Sequence, residues 1–160
     1  MRAGEIVFTG MERVVFGRPA AQAVAETAER LGAKRVFILA GSTLNRNTDA
    51  VRQIAGALGA RYAGLHDEMP AHSPRDAVIA CANKARDAGC DLLLSVGGGS
   101  TTDGGKAVTI CLEHDIREPD GLEPFRTVVD EITSKRHFPQ YRAPRVPTAP
   151  VYGFTLPDVP

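Results

Sequence analysis

The chain has 160 residues, about the length of one domain, and its 43% hydrophobic and 24% charged residues are typical of a globular protein. The 19 Lys and Arg balance the 19 Asp and Glu, no apolar run is long enough to span a bilayer, and the first residues lack the pattern of a secretory signal. We therefore expect a cytoplasmic protein that binds neither nucleic acid nor membranes. Its 3 cysteines lie among apolar residues at unequal spacing, so we expect buried thiols rather than disulfides or a zinc site.

Strand-like and helical segments alternate from the N-terminus. Two β-branched and aromatic runs predict a β-hairpin over residues 6–16. Apolar residues at helical spacing predict a helix over residues 20–31, and a continuous apolar run predicts a strand over residues 36–40 that is covered on both faces. A second apolar stripe predicts a helix with Asn47 or Thr48 as its cap.

The alternation continues through the middle of the chain. Residues 62–66 and 92–96 predict two further strands, the hydroxyl of Ser73 before a proline predicts the cap of a third helix, and a fourth helix is expected from about Thr101. The strands recur about every 30 residues, which is the period of right-handed βαβ units. We therefore predict a Rossmann-like α/β fold, with a doubly wound, mainly parallel sheet and an N-terminal β-hairpin.

The pattern loosens beyond residue 114, and residues 139–160 contain 6 prolines, each of which removes a backbone donor. We expect an α/β domain over residues 1–135 and a Pro-rich extended tail over residues 136–160. The basic residues of this region suit either a solvated linker or a phosphate-binding arm.

A glycine-rich loop after the predicted strand at 92–96 is the best candidate for a binding site. Gly97, Gly98 and Gly99, followed by Ser100, allow a ligand to approach the backbone, and the next helix offers unpaired N–H groups and the positive end of its dipole. Open parallel sheets bind ligands at this edge. The loop therefore predicts a pyrophosphate site, the alternative being a turn that only allows tight helix packing.

Asp103 and Lys106 lie three residues apart on one face of the predicted fourth helix. Because helical side chains lean toward the N-terminus, Lys106 can reach back over the glycine loop toward a bound anion. The alternative is a solvent-exposed ion pair whose acid stabilises the start of the helix. The residues alone leave both interpretations open.

The segment Gly-Gly-Gly-Ser-Thr-Thr-Asp-Gly-Gly-Lys at 97–106 resembles the Gly-Gly-Gly-Ser-x-x-Asp-x-x-Lys motif of the iron-containing alcohol dehydrogenase family. Residues 13–17 and the loop at 72–74 resemble the branch that includes maleylacetate reductases, whereas Asp103 is more similar to the alcohol dehydrogenases proper. Residues 146–148 resemble the start of the family's Pro-Thr-Thr segment. Members have an N-terminal nucleotide-binding domain and a helical C-terminal domain, and they transfer hydride between a nicotinamide cofactor and an alcohol or aldehyde.

This resemblance implies a dinucleotide-binding role for residues 1–135, with the glycine loop around the pyrophosphate. Asp103 is then expected near the nicotinamide end and Lys106 beside the cofactor. The residues that the resemblance implies for NAD(P) binding are Ser73, Gly97, Gly98, Gly99, Ser100, Asp103, Lys106 and Thr148.

A divalent metal, iron or zinc, is implied only for the complete family enzyme. The family's ligands, one Asp and three His, belong to the helical domain, and the present sequence departs from the family pattern after Thr148. His66, His72, His114 and His137 show no paired spacing with a carboxylate and are expected to be ordinary surface or loop histidines. We expect the helical domain to be absent and no metal ligand or catalytic residue in this chain.

The end of the strand at 36–40 bears on the choice of cofactor. Dinucleotide folds that prefer NAD place an acid there to hold the ribose 2′-hydroxyl. This chain has Gly41, Ser42 and Thr43 instead and no acid before Asp49, which resembles NADP-preferring members and would suit a 2′-phosphate. The alternative is an ordinary Gly-Ser turn.

The sequence thus predicts the NAD(P)-binding half of an iron-type alcohol dehydrogenase-like oxidoreductase. Its partner is a nicotinamide dinucleotide, with a small alcohol or aldehyde as substrate of the complete enzyme, and the isolated chain is expected to be inactive. A homo-oligomer is compatible with this prediction. Two alternatives stay open: a non-catalytic nucleotide- or phosphate-binding module, and half of an enzyme similar to glycerol dehydrogenase or dehydroquinate synthase.

Overall fold

The computed structural model describes residues 15–125 and the strand residues 152–154. The helices are α1 (Ala20–Arg30), α2 (Ser42–Asn47), α3 (Ala50–Leu58), α4 (Arg75–Asp87) and α5 (Gly99–Glu113), and the strands are β1 (Val36–Ala40), β2 (Tyr62–His66), β3 (Leu92–Val96) and β4 (Tyr152–Phe154). Short 3₁₀ helices follow at Gly59–Arg61 and Pro119–Phe125. Within these ranges no helix is long and apolar enough to cross a membrane.

The strands form one parallel sheet in the order β2-β1-β3-β4. Leu39 in β1 is level with His66 of β2 on one side and with Ser95 of β3 on the other. The chain therefore moves outward from β1 to β2 and then crosses β1 to reach β3. This reversal is the topological switch point of a doubly wound sheet, and the predicted Rossmann-like fold is confirmed.

Helices cover both faces of the sheet and form two apolar cores. Alternate residues of β1 divide between them, because successive side chains of a strand point to opposite faces. Ile38 packs on the side of α1 and α3, whereas Phe37 and Leu39 pack on the side of α4 and α5. All five residues of β1 and all five of β3 are buried, which explains why both strands are apolar except at Ser95.

The predicted strands coincide with β1, β2 and β3, but two helix starts differ from the prediction. The short helix α2 extends to Asn47, so α3 begins only at Ala50, with Asp49 rather than Asn47 or Thr48 in the cap position. Helix α5 begins at Gly99, two residues before the predicted start, because the glycines of the loop enter the helix themselves.

Two predicted segments fall mainly on residues that the structure does not describe. The hairpin over residues 6–16 lies outside the described residues except for its last two, Val15 and Phe16, which are in no strand. Of the tail over residues 136–160, only 152–154 are described. These three residues form β4 beside β3 and so belong to the sheet.

The cysteine thiols are free, as expected from their apolar surroundings. Cys81 and Cys111 are fully buried and Cys90 is half-buried. Burial raises the pKa of the Cys81 thiol to about 12, so this thiol stays protonated at neutral pH.

His66 is not the surface or loop histidine that the sequence predicted. It ends β2, is only 2% exposed, and neither ring nitrogen has a hydrogen-bond partner among the described residues. Leu65 packs on the side of α1 and α3, so strand alternation turns His66 toward α4 and α5. Burial lowers the pKa of His66, and the positive charge of Lys84 lowers it further.

We expect the free energy of unfolding to fall as the pH drops below about 6.5, the ordinary pKa of histidine. Because the pKa of His66 is lower in the folded chain, the unfolded chain takes up a proton at a higher pH than the folded chain does. The contribution of His66 to the free energy of unfolding is therefore constant above this pH and declines below it. The loss is at most about 1.4 kcal/mol per pH unit. Urea unfolding at several pH values between roughly 5 and 8, the range in which histidine titrates, measures this loss of stability.

His66→Leu should remove this part of the pH dependence. His72→Asn is the matched control, because asparagine tolerates the positive φ of +64° at this position. A pH profile that is the same in His66→Leu and in the unmodified chain would contradict the assignment.

Candidate functional site

The carboxyl ends of β1 and β3 meet at the switch point. The Gly41 N–H donates to the carbonyl oxygen of Val96 over 2.9 Å, which joins the loop after β1 to the last residue of β3. Crevices at such points bind ligands in open α/β sheets, because the neighbouring loops diverge to opposite faces. The glycine loop at 97–99 therefore lies where the sequence placed a binding site.

Gly97 allows the closest packing in this loop. Its φ of +154° is a conformation that residues with a side chain rarely adopt. A Cβ at Gly97 would lie 2.8 Å from the Thr101 hydroxyl oxygen and 3.2 Å from the Gly41 nitrogen. Thr101 is only 5% exposed, so it cannot swing away into solvent. Gly97 is thus required for the contact between the two loops.

Gly98 and Gly99 have the opposite environment. Apart from the adjacent residues and the backbone of α5 itself, no heavy atom of the described residues lies within 4 Å of a Cβ built at either position. Gly98 is the cap residue of α5, and no side chain of the described part of the chain caps this helix. The first N–H groups of this 15-residue helix therefore have no side-chain acceptor among the described residues, which is an arrangement suited to an anion.

Ser73 lies beside the glycine loop, but it does not cap α4 as predicted. Pro74 is the cap residue and makes no side-chain cap bond, and the Ser73 hydroxyl donates to the Ser100 carbonyl oxygen over 2.7 Å. The backbone turns through the left-handed region at His72 and Ser73, with φ of +64° and +46°. This turn places the Ser73 side chain beside the start of α5 rather than at the cap position of α4.

Asp103 and Lys106 form an ion pair in this structure. The Lys106 ammonium lies 2.9 Å from the Asp103 carboxylate, and both side chains are about two-thirds exposed, at 65% and 69%. The geometry is that of the solvent-exposed pair which the sequence left as one of two interpretations. An exposed pair of this kind contributes little to stability, so either side chain can turn toward a ligand at small cost.

The Gly-Ser turn after β1 leads into the short helix α2. Gly41 is the cap residue, and Ser42 and Thr43 open the helix without a side-chain cap bond. Helix α2 brings Asn45 to Asp67, with 2.9 Å between the amide nitrogen and the carboxylate oxygen. The sequence analysis missed Asp67, although its place directly after the predicted strand at 62–66 was a signal that could have found it.

Some of the predicted site residues are not brought to this loop. Thr148 lies outside the described residues. Within residues 15–125, no group of three His, Cys, Asp or Glu side chains converges in a way that could hold a metal ion. Those residues therefore do not fit a metal centre.

The fold and the loop define the class of domain: a Rossmann-like α/β domain with three consecutive glycines at its switch point. Residues 11–149 match the family model for iron-containing alcohol dehydrogenases, and the chain belongs to that family. The resemblance carried by the 97–106 motif is thereby confirmed.

Similar proteins include maleylacetate reductases. Maleylacetate reductase 2 of Cupriavidus pinatubonensis is 39% identical over 105 residues, which are 66% of this chain and 28% of that protein. The crystal structure of maleylacetate reductase from Agrobacterium tumefaciens superposes with a TM-score of 0.59 at 31% identity, over 70% of this chain and 31% of that one. The chain thus spans less than a third of the relatives that it matches.

A cofactor complex is also among the similar structures. Sulfoacetaldehyde reductase from Bifidobacterium kashiwanohense, solved in complex with NAD⁺, superposes with a TM-score of 0.54 at 26% identity. The match covers 60% of this chain and 26% of the reductase.

Gly97→Ala should lower the free energy of unfolding by about 1–3 kcal/mol, because the methyl group meets Thr101 and the Gly41 backbone and the positive φ becomes strained. Gly99→Ala is the matched control. Its methyl group enters open space, so the expected change is within about 0.5 kcal/mol. Urea unfolding measures the stability of both variants. Equal stability of the two would show that the packing of Gly97 against Thr101 and Gly41 tolerates a methyl group.

Proposed function

We propose that this chain binds NAD(P) at the glycine loop and serves as the nucleotide-binding part of an iron-type alcohol dehydrogenase-like oxidoreductase. The observation that carries the proposal is the open space at Gly98 and Gly99 in front of the first turn of α5. A pyrophosphate fits there because it needs close backbone approach, unpaired N–H donors and the positive end of a helix dipole. A side chain at either glycine would fill the same space.

Each residue near the loop has a proposed task. The N–H groups at the start of α5 bind the pyrophosphate, and Ser73 holds the 72–74 loop against Ser100. Lys106 leaves its pair with Asp103 and turns toward the bound phosphates, while Asp103 stays near the nicotinamide end. Gly41, Ser42 and Thr43 face the adenosine ribose, and Thr148 contacts the nucleotide from the segment after residue 125.

The proposed reaction belongs to the complete protein. The bound nicotinamide accepts or donates a hydride, and the substrate is a small alcohol or its carbonyl counterpart. The names of the maleylacetate reductases and of the NAD⁺-bound sulfoacetaldehyde reductase support reduction of a carbonyl compound. The domain proposed for cofactor binding is 1–135, and β4 of the 136–160 segment adds a strand to its sheet.

Gly98→Val should abolish the binding of NADH to the isolated chain in titration calorimetry. The branched side chain stands in the space proposed for the pyrophosphate, and its Cβ meets no side chain of the described residues, so we expect the fold to be retained. Gly56→Val is the matched control, because Gly56 also has open space around its Cβ position but lies in α3. This control should bind NADH as the unmodified chain does.

Equal heats of NADH binding for Gly98→Val and the unmodified chain would show that the cofactor does not bind at the glycine loop. Circular dichroism of both variants serves as the folding check, since a valine at a helix cap costs about 1 kcal/mol.

The isolated 160 residues should bind cofactor without turning over alcohols or aldehydes, even with added ferrous or zinc ions. Charge that develops on the substrate oxygen needs a compensating group, and losing such a group costs several kcal/mol, or roughly 10²–10³ in rate. The change in NADH absorbance over a panel of small aldehydes measures turnover. Robust turnover together with stoichiometric bound metal would show that the active site lies within this chain.

A further inference from the structure

Resting on the proposed function, we propose that Asp67 recognises the adenosine half of the bound dinucleotide by accepting a hydrogen bond from it. Asp67 is the first residue after β2, whose last residue, His66, is level with Leu39 of β1. Extending this register by one residue places Asp67 beside Ala40, at the end of β1. Asp67 therefore lies on the same edge of the sheet as the glycine loop.

The position along this edge matches the reach of a dinucleotide. Strand β2 is two strand spacings from β3, or roughly 10 Å. The proposed function places the pyrophosphate after β3 and the ribose at Gly41, after β1. An adenosine that continues in this direction arrives at the end of β2, where Asp67 is the first side chain.

The side chain of Asp67 is held in place without being neutralised. The Asn45 amide donates to Oδ2 over 2.9 Å in a half-buried setting, which leaves Oδ1 to accept another hydrogen bond. In the described part of the chain no lysine or arginine is ion-paired with Asp67, whereas the neighbouring Glu68 pairs with Lys84 at 3.3 Å. An oriented carboxylate of this kind suits an N–H or O–H donor of a ligand.

Asp67 also supplies a group that the end of β1 lacks. Dinucleotide folds use an acid near the adenosine ribose, and this chain has Gly41 at the end of β1. The acid stands instead at the end of the adjacent strand. The adenosine half of the ligand has two donors that a carboxylate can accept from, the 6-amino group of adenine and the 2′-hydroxyl of the ribose.

Asp67→Asn tests the proposal with little change to the fold. The new amide oxygen can still accept from Asn45, so α2 stays attached, but the free side of the residue becomes a donor. We expect NADH to bind about tenfold more weakly, as for the loss of one hydrogen bond to a charged group. Glu68→Gln is the matched control, because it removes the adjacent carboxylate, and it should bind NADH normally.

Three ligands distinguish the two donors: NADH, its hypoxanthine analogue, which lacks the 6-amino group, and NADPH, whose 2′-hydroxyl is phosphorylated. If the amino group is the donor, Asp67→Asn weakens NADH and NADPH and strengthens the analogue, whose 6-oxygen accepts from the new amide. If the 2′-hydroxyl is the donor, Asp67→Asn weakens NADH and the analogue and strengthens NADPH, because a carboxylate that repels the 2′-phosphate is gone. Either pattern supports the proposal.

Other results overturn it. Equal weakening of all three ligands would assign Asp67 a purely structural role, and NADH affinity within about twofold of the unmodified chain would remove Asp67 from the site. Both results leave the proposed function intact, because the unmodified chain still binds the dinucleotide. Failure of the unmodified chain to bind any of the three overturns the proposed function and this inference together.

Discussion

The hydrogen bond from the Gly41 N–H to the Val96 carbonyl anchors the loop after β1 to the last residue of β3. Beside it, the backbone at Gly97 lies closer to the buried Thr101 and to the Gly41 nitrogen than a residue with a side chain would allow. With the base of the loop fixed in this way, Gly98 and Gly99 are left exposed in front of α5. The three glycines therefore have two roles: Gly97 allows close packing, and Gly98 and Gly99 leave room for a ligand.

The doubly wound sheet is what brings these loops to one place. Strands β1 and β3 are buried on both faces, so they must be central, and the helices that follow them leave on opposite sides. Their carboxyl ends then diverge into a crevice. The position of Asp67 follows from the same arrangement, because β2 lies next to β1 and its carboxyl end is at the same edge of the sheet.

Much of the fold could be predicted from the sequence because it depends on local periodicity. The runs at 36–40 and 92–96 are strands with the predicted bounds, and the glycine loop lies at the switch point as expected. Apart from the starts of α3 and α5, the errors concern groups whose partners are distant in the sequence. Ser73 had a capping pattern, but its hydroxyl finds Ser100, 27 residues away, which no local pattern could predict.

Two further residues show the same limit. His66 lies in a weakly apolar strand, so its burial follows from what α4 and α5 cover and not from its neighbours in sequence. Asp67 became a candidate only when α2 brought Asn45 to it across 22 residues. The sequence predicted the backbone part of the site well, because glycines in a loop carry their own signal, whereas side-chain partners need the tertiary structure.

The most direct test of the central claim is the ¹H–¹⁵N correlation spectrum of the chain during titration with NADH, which reports each backbone amide separately. The account predicts that the largest shifts occur at the amides of residues 97–101, which open α5, with smaller shifts at residues 41–43 after β1. Saturating shifts that leave the 97–101 amides unchanged and cluster elsewhere would contradict the account, because the dinucleotide would then bind away from the switch point.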